Sequence, residues 1–191
     1  MFNTKQLTQV GKKYAALDKA RRALQALCAD ILSTSKRSIF AIQRSDPSAS
    51  AKELADAIKK IKLAKKIVAS ESRLAGEGMW RAALEEYAEA TMYHQAMTVG
   101  KVGTVPELPE DPDLFLGGLS DLTGELTRSA VLAATDRNLK EVKRLLEAVR
   151  DAIAFMLTLN LTGNMRTKFD QAKGNLRKLE EIAFTLSVNQ K

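Results

Sequence analysis

The longest regular stretch of the sequence covers residues 4–44 and reads TKQLTQVGKKYAALDKARRALQALCADILSTSKRSIFAIQR. Apolar residues recur along it every three or four positions, which is the spacing of one face of an α-helix. The stretch has no proline, and Gly11 is its one glycine, so nothing inside it stops a helix. Asp46-Pro47 follows and suits the start of a new helix, with proline in the first turn. We therefore predict a very long N-terminal helix whose apolar stripe packs in a bundle.

The rest of the chain shows the same periodicity in shorter segments. We predict helices over residues 47–75, 79–99, 113–134 and 165–188, and another from a Thr135-Asp136 cap to about residue 160. Residues 100–112 contain three prolines and two glycines, which predicts the one substantial loop. No strand pattern of comparable quality, internal repeat or linker is present. The sequence therefore predicts a single all-α domain over residues 1–191, with six helices.

The composition bounds the class of protein. A chain of 191 residues that is 45% hydrophobic and 28% charged is typical of a globular domain with a sizeable core. No run of eighteen apolar residues exists, so we expect no membrane-spanning helix. Residues 1–5 lack the apolar core of a signal peptide, which predicts a cytoplasmic protein. The one cysteine, Cys28, permits no internal disulfide and is expected to be a buried small hydrophobe.

The net charge of +7 is unevenly distributed along the chain. Residues 1–73 contain 16 Lys and Arg against 6 Asp and Glu, whereas residues 74–191 contain 14 against 17. A basic half and an acidic half in one domain favour a polyanion bound near a cation site. The basic residues concentrate in residues 35–44 and in the five lysines of residues 59–66. Each stretch suits contact with a phosphate backbone, and each equally suits the solvated outer face of a helix.

Two acidic pairs are the strongest candidates for a site. Glu86 and Glu89 are three residues apart and share a helix face, and so do Asp121 and Glu125, which are four apart. Both pairs lie in stripes of apolar or small residues, where like charges repel and burial disfavours ionisation. Carboxylate oxygens are the ligands that Mg²⁺ prefers, so the four acids on facing helices can hold one or two ions that activate water at a phosphodiester.

Other interpretations of the acidic pairs remain open from the residues alone. Either pair also fits a solvated helix face. A carboxylate-bridged iron or manganese redox bundle needs Glu-x-x-His on two helices, and His94 is the one histidine. The single His and Cys also give little support to a zinc site or to Cys-His catalysis. Three glycines inside the predicted fourth helix, at positions 117, 118 and 124, indicate close approach of another backbone or of a ligand.

Two side chains near the acids have alternative roles. Arg128 lies one turn beyond Glu125, where it can pair with an acid or contact a phosphate. Tyr93 lies one turn beyond Glu89 and is expected to pack in the core with its hydroxyl in water. His94 is expected to be structural or partly exposed.

At several stretches the chain resembles the translin family, and specifically the translin-associated factor X branch and its prokaryotic relatives. The resemblance covers most of the chain. It rests on residues 35–40 (SKRSIF), 86–90 (EYAEA), 118–128 (GLSDLTGELTR) and 179–187 (LEEIAFTLS). The segment DLTGEL at residues 121–126 is the most specific of these.

The resemblance implies an all-α subunit of six to seven helices that assembles into a closed, hollow homo-octamer. It also implies a Mg²⁺-dependent endoribonuclease, with Mn²⁺ as a substitute, that acts on single-stranded RNA or nicked duplexes. The family's catalytic and metal-binding carboxylates fall on Glu86, Glu89, Asp121 and Glu125. The alternative is a non-catalytic assembly that binds RNA or single-stranded DNA, as in the translin branch. The residues expected to contact nucleic acid are Lys36, Arg37, Arg44, Lys59, Lys60, Arg81 and Arg128.

Overall fold

The computed structural model describes residues 2–188, which form six α-helices and no strand. The helices are α1 (Thr4–Gln43), α2 (Pro47–Ser70), α3 (Gly78–Thr98), α4 (Pro112–Thr135), α5 (Leu139–Leu157) and α6 (Gly163–Val188), with a 3₁₀ turn at Ser72–Gly76. The predicted all-α fold with a very long first helix is thus confirmed. None of the helices within residues 2–188 combines the length and the apolar character that crossing a membrane requires.

Side-chain caps start the helices where the sequence predicts them. The carboxylate of Asp46 accepts a hydrogen bond from the Ala49 backbone N–H at 2.9 Å, and Pro47 follows in the first turn of α2. Asp111 caps α4 in the same way, through the N–H of Asp113. These caps satisfy backbone donors that have no partner inside the helix. The first helix therefore ends, and the second begins, at the predicted Asp46-Pro47.

Two predicted helix ends are wrong. The second helix stops at Ser70 and not at residue 75, because Glu71 leaves the helical conformation and the chain tightens into the 3₁₀ turn. The fifth helix is capped by Asn138, which accepts from the Glu141 N–H at 3.1 Å. Helix α4 runs through the predicted Thr135 cap, and the chain reverses at Arg137, whose φ is 54°.

The helices form two groups of three that meet along one seam. Helix α1 packs against α2 and α3, while α4 packs against α5 and α6. The groups are joined where α3 packs on α4, a contact that we call the α3–α4 seam.

Each fully buried aliphatic side chain contributes about 1.5–3 kcal/mol to the free energy of unfolding, relative to an exposed one. The largest fully buried side chains are Leu24, Ile31, Ile61, Leu74, Leu84, Tyr87, Met92, Tyr93, Leu126, Leu145, Met156 and Leu179.

Glycines in α4 let the two helices of the seam approach closely. A Cβ at Gly118 would lie 2.7 Å from the Ala88 Cβ and 2.9 Å from the backbone nitrogen of Glu89, which is closer than real Cβ atoms come. A Cβ at Gly117 would lie 2.7 Å from the carboxyl carbon of Glu85. The predicted close approach of another backbone is confirmed at Gly118, whereas the neighbour at Gly117 is the Glu85 side chain. It is wrong for Gly124, where a Cβ would make an ordinary 3.6 Å contact with Asn175.

The first three turns of α1 extend beyond the bundle. Residues 4–16 are exposed throughout, and burial begins at Leu17. The apolar side chains of Leu7, Val10 and Tyr14 are each more than half exposed. The predicted apolar stripe therefore has packing partners only from Leu17 onward within residues 2–188.

Cys28 and His94, the one cysteine and the one histidine of the chain, both have structural roles. Cys28 is fully buried, as predicted, and burial raises the pKa of its thiol to about 11. His94 Nδ1 and the Ser50 hydroxyl are 2.9 Å apart, and the Ser50 and Ser38 hydroxyls are 2.7 Å apart. This chain of polar groups links α1, α2 and α3. His94 is thus held by α2.

Candidate metal centre

The seam brings the four predicted carboxylates together. Glu86 and Glu89 project from α3, and Asp121 and Glu125 project from α4. After burial, the charges of Glu86, Asp121 and Glu125 raise the pKa of Glu89. Asp121 and Glu125 likewise raise the pKa of Glu86, although Lys36 opposes them. The four acidic groups, which we call the acidic centre, therefore share one electrostatic environment.

Glu86 and Glu89, the two carboxylates that α3 contributes to the acidic centre, lack partners. Burial is the main cause that raises the pKa of Glu89 to about 8, and it also raises the pKa of Glu86. Neither side chain makes a hydrogen bond or ion pair with another of residues 2–188. Buried ionised carboxylates are costly unless they are paired or bound to a cation. Glu89 therefore holds a proton at neutral pH unless a cation offsets its charge.

Asp121 and Glu125, the two carboxylates that α4 contributes to the acidic centre, each contact a residue from outside the seam. The ammonium of Lys168, on α6, lies 2.6 Å from Asp121 Oδ2 and 3.1 Å from Glu85 Oε2. The Gln43 amide, at the end of α1, donates to Glu125 Oε2 at 2.5 Å. Burial lowers the pKa of Lys168, but its hydrogen bonds to the two acids outweigh burial, and the net pKa is raised. Lys168 is therefore a resident cation beside the acidic centre.

Three further residues of the site, Lys168, Glu85 and Gln43, are not among those that the sequence predicts. Lys168 shares the packed face of α6 with Ala172 and Leu179, so a lysine in an apolar stripe was the available signal. Glu85 adjoins Glu86, but it points to a different partner because adjacent helical residues diverge by about 100°. Nothing in the local sequence marks Gln43, whose partner is 82 residues away.

Two predicted nucleic-acid residues flank the acidic centre. Lys36 is exposed, and it lowers the pKa of Glu86. Arg128 is exposed and its guanidinium carbon lies 5.8 Å from the centre of the Phe40 ring. Among the residues that the structure describes, Arg128 pairs with no acid, so that alternative is wrong. The predicted wet hydroxyl of Tyr93 is also wrong, because it lies 2.7 Å from the Ser129 hydroxyl in the core.

Three predicted nucleic-acid residues lie together on another surface. Arg37, Lys59 and Lys60 surround Asp56 on α1 and α2, and all three lower its pKa. Arg37 also pairs with Glu53 at 2.9 Å. Their surroundings are those of a solvated helix surface.

Arg44 and Arg81, the remaining predicted nucleic-acid residues, lie at helix ends near the seam. Arg44 caps the end of α1 with its backbone N–H. Arg81 pairs with Asp111 at 2.5 Å and lines a polar pocket of about 390 Å³ together with Glu85 and Asn164. This pocket therefore adjoins the Lys168 ion pair through Glu85.

Comparison with known proteins identifies the family. Residues 19–190 match the sequence model of the Translin family. The chain belongs to the translin family. A curated relative, the uncharacterized protein MJ0175 of Methanocaldococcus jannaschii, is 28% identical over 111 residues, which is 56% of this chain and 50% of the relative. The chain thus spans about half the length of that relative.

Three solved structures share the translin-family fold. Apo-NeC3PO has a TM-score of 0.86 at 19% identity and covers 97% of this chain and 98% of its own. AfC3PO has a TM-score of 0.86 at 22% identity, over 96% and 98% of the two chains. The complex of AfC3PO with duplex RNA has a TM-score of 0.85 at 21% identity, over 96% and 97%. At these identities the likeness establishes the fold of this translin-family chain.

The donor set of the acidic centre fits a hard divalent cation in chemistry. Glu86 and Glu89 supply unpartnered carboxylate oxygens, which is the ligand type that Mg²⁺ and Mn²⁺ take. Within residues 2–188, no three His, Cys, Asp or Glu side chains are arranged to hold one ion. Lys168 and Gln43 each hold one oxygen of the α4 carboxylates, Asp121 Oδ2 and Glu125 Oε2. Binding of one ion by all four acids therefore requires their side chains to move closer together.

The raised pKa of Glu89 predicts how stability depends on pH after treatment with a chelator. An unfolded glutamate has a pKa of about 4.3, whereas Glu89 in the fold titrates at about 8. Glu86, Asp121 and Glu125 favour this proton, and Lys168 opposes it. The folded state therefore keeps a proton that the unfolded state loses. The free energy of unfolding should fall by up to ~1.4 kcal/mol per pH unit as the pH rises through this window.

Urea denaturation in EDTA between about pH 5 and pH 8.5 measures this slope. Glu89→Gln removes the titrating group and should flatten the pH dependence relative to wild type. Glu110→Gln is the matched control, because Glu110 is exposed and makes no ion pair within residues 2–188. An unchanged slope in Glu89→Gln would show that Glu89 titrates as an ordinary glutamate.

Proposed function

We propose that this chain is a metal-dependent endoribonuclease of the translin-associated factor X type, acting on single-stranded or nicked, duplex-derived RNA. The observation that carries the proposal is the acidic centre itself, in which Glu86 and Glu89 are half-buried without a hydrogen-bond or ion-pair partner among residues 2–188. A protein that only binds phosphates gains nothing from half-buried carboxylates, since they repel the ligand. A protein that uses a divalent cation at a phosphodiester needs them.

The acidic centre supplies the ligands that the proposed hydrolysis requires. Glu86, Glu89, Asp121 and Glu125 would hold Mg²⁺, with Mn²⁺ as a substitute. When bound, such an ion supplies water activation and neutralisation of charge at the scissile phosphate. In the metal-free protein the pKa of Glu89 is raised to about 8. Binding of the ion would therefore displace a proton from this carboxyl group, whose carboxylate then serves as a ligand.

The surroundings of the centre suit an RNA strand. Lys36 and Arg128 are exposed cations beside the carboxylates and would contact backbone phosphates. Phe40 is 49% exposed and shares the face of α1 that carries Lys36 and Gln43. Its ring offers a surface on which an unpaired base can stack. AfC3PO has been solved in complex with duplex RNA, which supports RNA as the ligand class.

Assembly into a cytoplasmic homo-octamer is part of the proposal. The exposed apolar side chains of Leu7, Val10 and Tyr14 lie on one face of the projecting part of α1. Such a stripe is costly to leave in water and is typical of a helix that packs against another copy.

A second candidate function is a non-catalytic assembly that binds RNA or single-stranded DNA. It is favoured by the engagement of Asp121 with Lys168 and of Glu125 with Gln43, and by the absence, among residues 2–188, of three acids placed around one ion. This candidate predicts binding that weakens steeply with salt, without cleavage at any concentration of Mg²⁺ or Mn²⁺.

A circular single-stranded RNA separates the two candidates, because only an endonuclease can open it. Wild type in Mg²⁺ should convert the circle to linear products, and EDTA should stop the reaction. Asp121→Asn should leave the circle intact while it still binds the RNA. Binding of the circle without opening in either metal would reject the nuclease and leave the binding assembly.

A further inference from the structure

The ion pairs of Lys168 place a cation inside the candidate metal centre. Its ammonium lies 2.6 Å from Asp121 Oδ2 and 3.1 Å from Glu85 Oε2. The side chains of Lys168 and Glu85 are only 16% and 19% exposed, compared with 36% for Asp121. Solvent screens such a pair less than it screens a surface pair. Asp121 thus makes the shorter contact with the lysine and Glu85 the more buried one, so Lys168 keeps an ion pair when Asp121 is exchanged.

Backbone and side-chain contacts from three helices build this arrangement. The carboxyl group of Glu85 lies against α4 at Gly117, where a Cβ would approach it to 2.7 Å. The amide of Asn175, two turns beyond Lys168 on α6, donates to Thr123 Oγ1 at 2.9 Å. This hydrogen bond fixes the register of α6 on α4 next to Asp121. The position of Lys168 is therefore set by the packing of α3, α4 and α6.

We propose that Lys168 is a positioning residue that controls how tightly the acidic centre binds a divalent cation. The proposal rests on the proposed metal-dependent function. The ammonium lies at Oδ2 of the Asp121 carboxylate and leaves the second oxygen for a divalent ion, but two cations on one carboxylate repel each other. Glu85 retains Lys168 when Asp121 turns towards the ion. The lysine thereby offsets repulsion among the acids before the ion binds and raises the concentration of metal that binding requires.

Binding of Mn²⁺, followed by loss of the free-ion signal in electron paramagnetic resonance, tests the proposal without any measurement of cleavage. Lys168→Met keeps the apolar stem but removes the competing charge, so it should bind Mn²⁺ about tenfold more tightly than wild type. The same variant in EDTA should unfold at a lower temperature, because the acids lose their internal cation. Lys178→Met is the matched control on α6, where Lys178 is exposed, and its affinity should equal that of wild type.

Glu85→Gln supplies a second variant with the opposite expected sign. Without its anchor, Lys168 is left to Asp121 alone, so Mn²⁺ affinity should fall several-fold. Equal or weaker binding by a folded Lys168→Met would overturn the inference, and so would unchanged or tighter binding by Glu85→Gln. A wild-type protein that binds no Mn²⁺ would instead overturn the metal-dependent function and the inference together.

Discussion

Glu89→Gln should lower the rate of metal-dependent RNA cleavage by at least about 100-fold, because a proposed metal ligand is lost and even the outer-shell partners of such ligands contribute about 10–100-fold. Glu89 is the carboxyl whose pKa is raised to about 8 by burial and by Glu86, Asp121 and Glu125. Glutamine has almost the same shape but neither accepts a proton nor binds a divalent ion as strongly. The measurement is the initial rate on a labelled single-stranded RNA in excess Mg²⁺.

Two controls separate chemistry from folding in this experiment. The Glu89→Gln protein should bind the RNA at least as tightly as wild type, since a negative charge near the phosphates is removed. Glu110→Gln makes the same substitution at an exposed position outside the seam and should keep the full rate. Cleavage by Glu89→Gln within threefold of wild type would mean that the acidic centre does not perform the reaction.

Gly118→Ala should be the most destabilising single-methyl change in α4. The new Cβ would lie 2.7 Å from the Ala88 Cβ and 2.9 Å from the backbone nitrogen of Glu89. Neither neighbour is the end of a flexible side chain, so α3 and α4 must move apart. Overpacking of this kind costs about 1–3 kcal/mol, and we expect the upper part of that range. Urea denaturation gives the free energy of unfolding.

The same helix provides the matched control. Gly124→Ala adds a Cβ that meets Asn175 at an ordinary 3.6 Å, and alanine favours the helix by about 0.5–1 kcal/mol over glycine. This variant should therefore be as stable as wild type or more so. If both substitutions changed stability equally, the close approach at the seam would not be required for folding.

Local patterns predicted the helices well because their causes are local. The periodicity of residues 4–44, the Asp46 cap and the Asp111 cap each act within a few residues, and the structure reproduces them. The end of α4 and the start of α5 are harder to predict from local patterns. Asn138 with Glu141 three residues later is also a capping pattern, and α5 begins after Asn138 while Thr135 remains the last residue of α4.

The candidate site could be predicted only in part. The spacing of Glu86 with Glu89 and of Asp121 with Glu125 placed each pair on one face, and the seam brings the pairs together. The partners of these acids come from far along the chain, since Lys168 is 47 residues from Asp121. Contacts of this kind depend on the register of packed helices, which no local pattern encodes.

Charge alone was a poor guide to the nucleic-acid surface. Lys36 and Arg37 are neighbours in sequence, yet the charge of Lys36 lowers the pKa of Glu86, while Arg37 forms an ion pair with Glu53. Adjacent helical residues face about 100° apart, so a basic run divides between two surfaces. Phe40 was passed over because a single aromatic does not mark a binding surface until its neighbours in space are known.

The central claim is that the four carboxylates of the α3–α4 seam hold the divalent cation used in RNA cleavage. The most direct measurement is an anomalous difference map from crystals soaked in Mn²⁺. The account predicts a peak between α3 and α4, within bonding distance of carboxylate oxygens from both helices, with Lys168 displaced from Asp121. A seam without a peak, in protein that cleaves RNA in Mn²⁺, would contradict it.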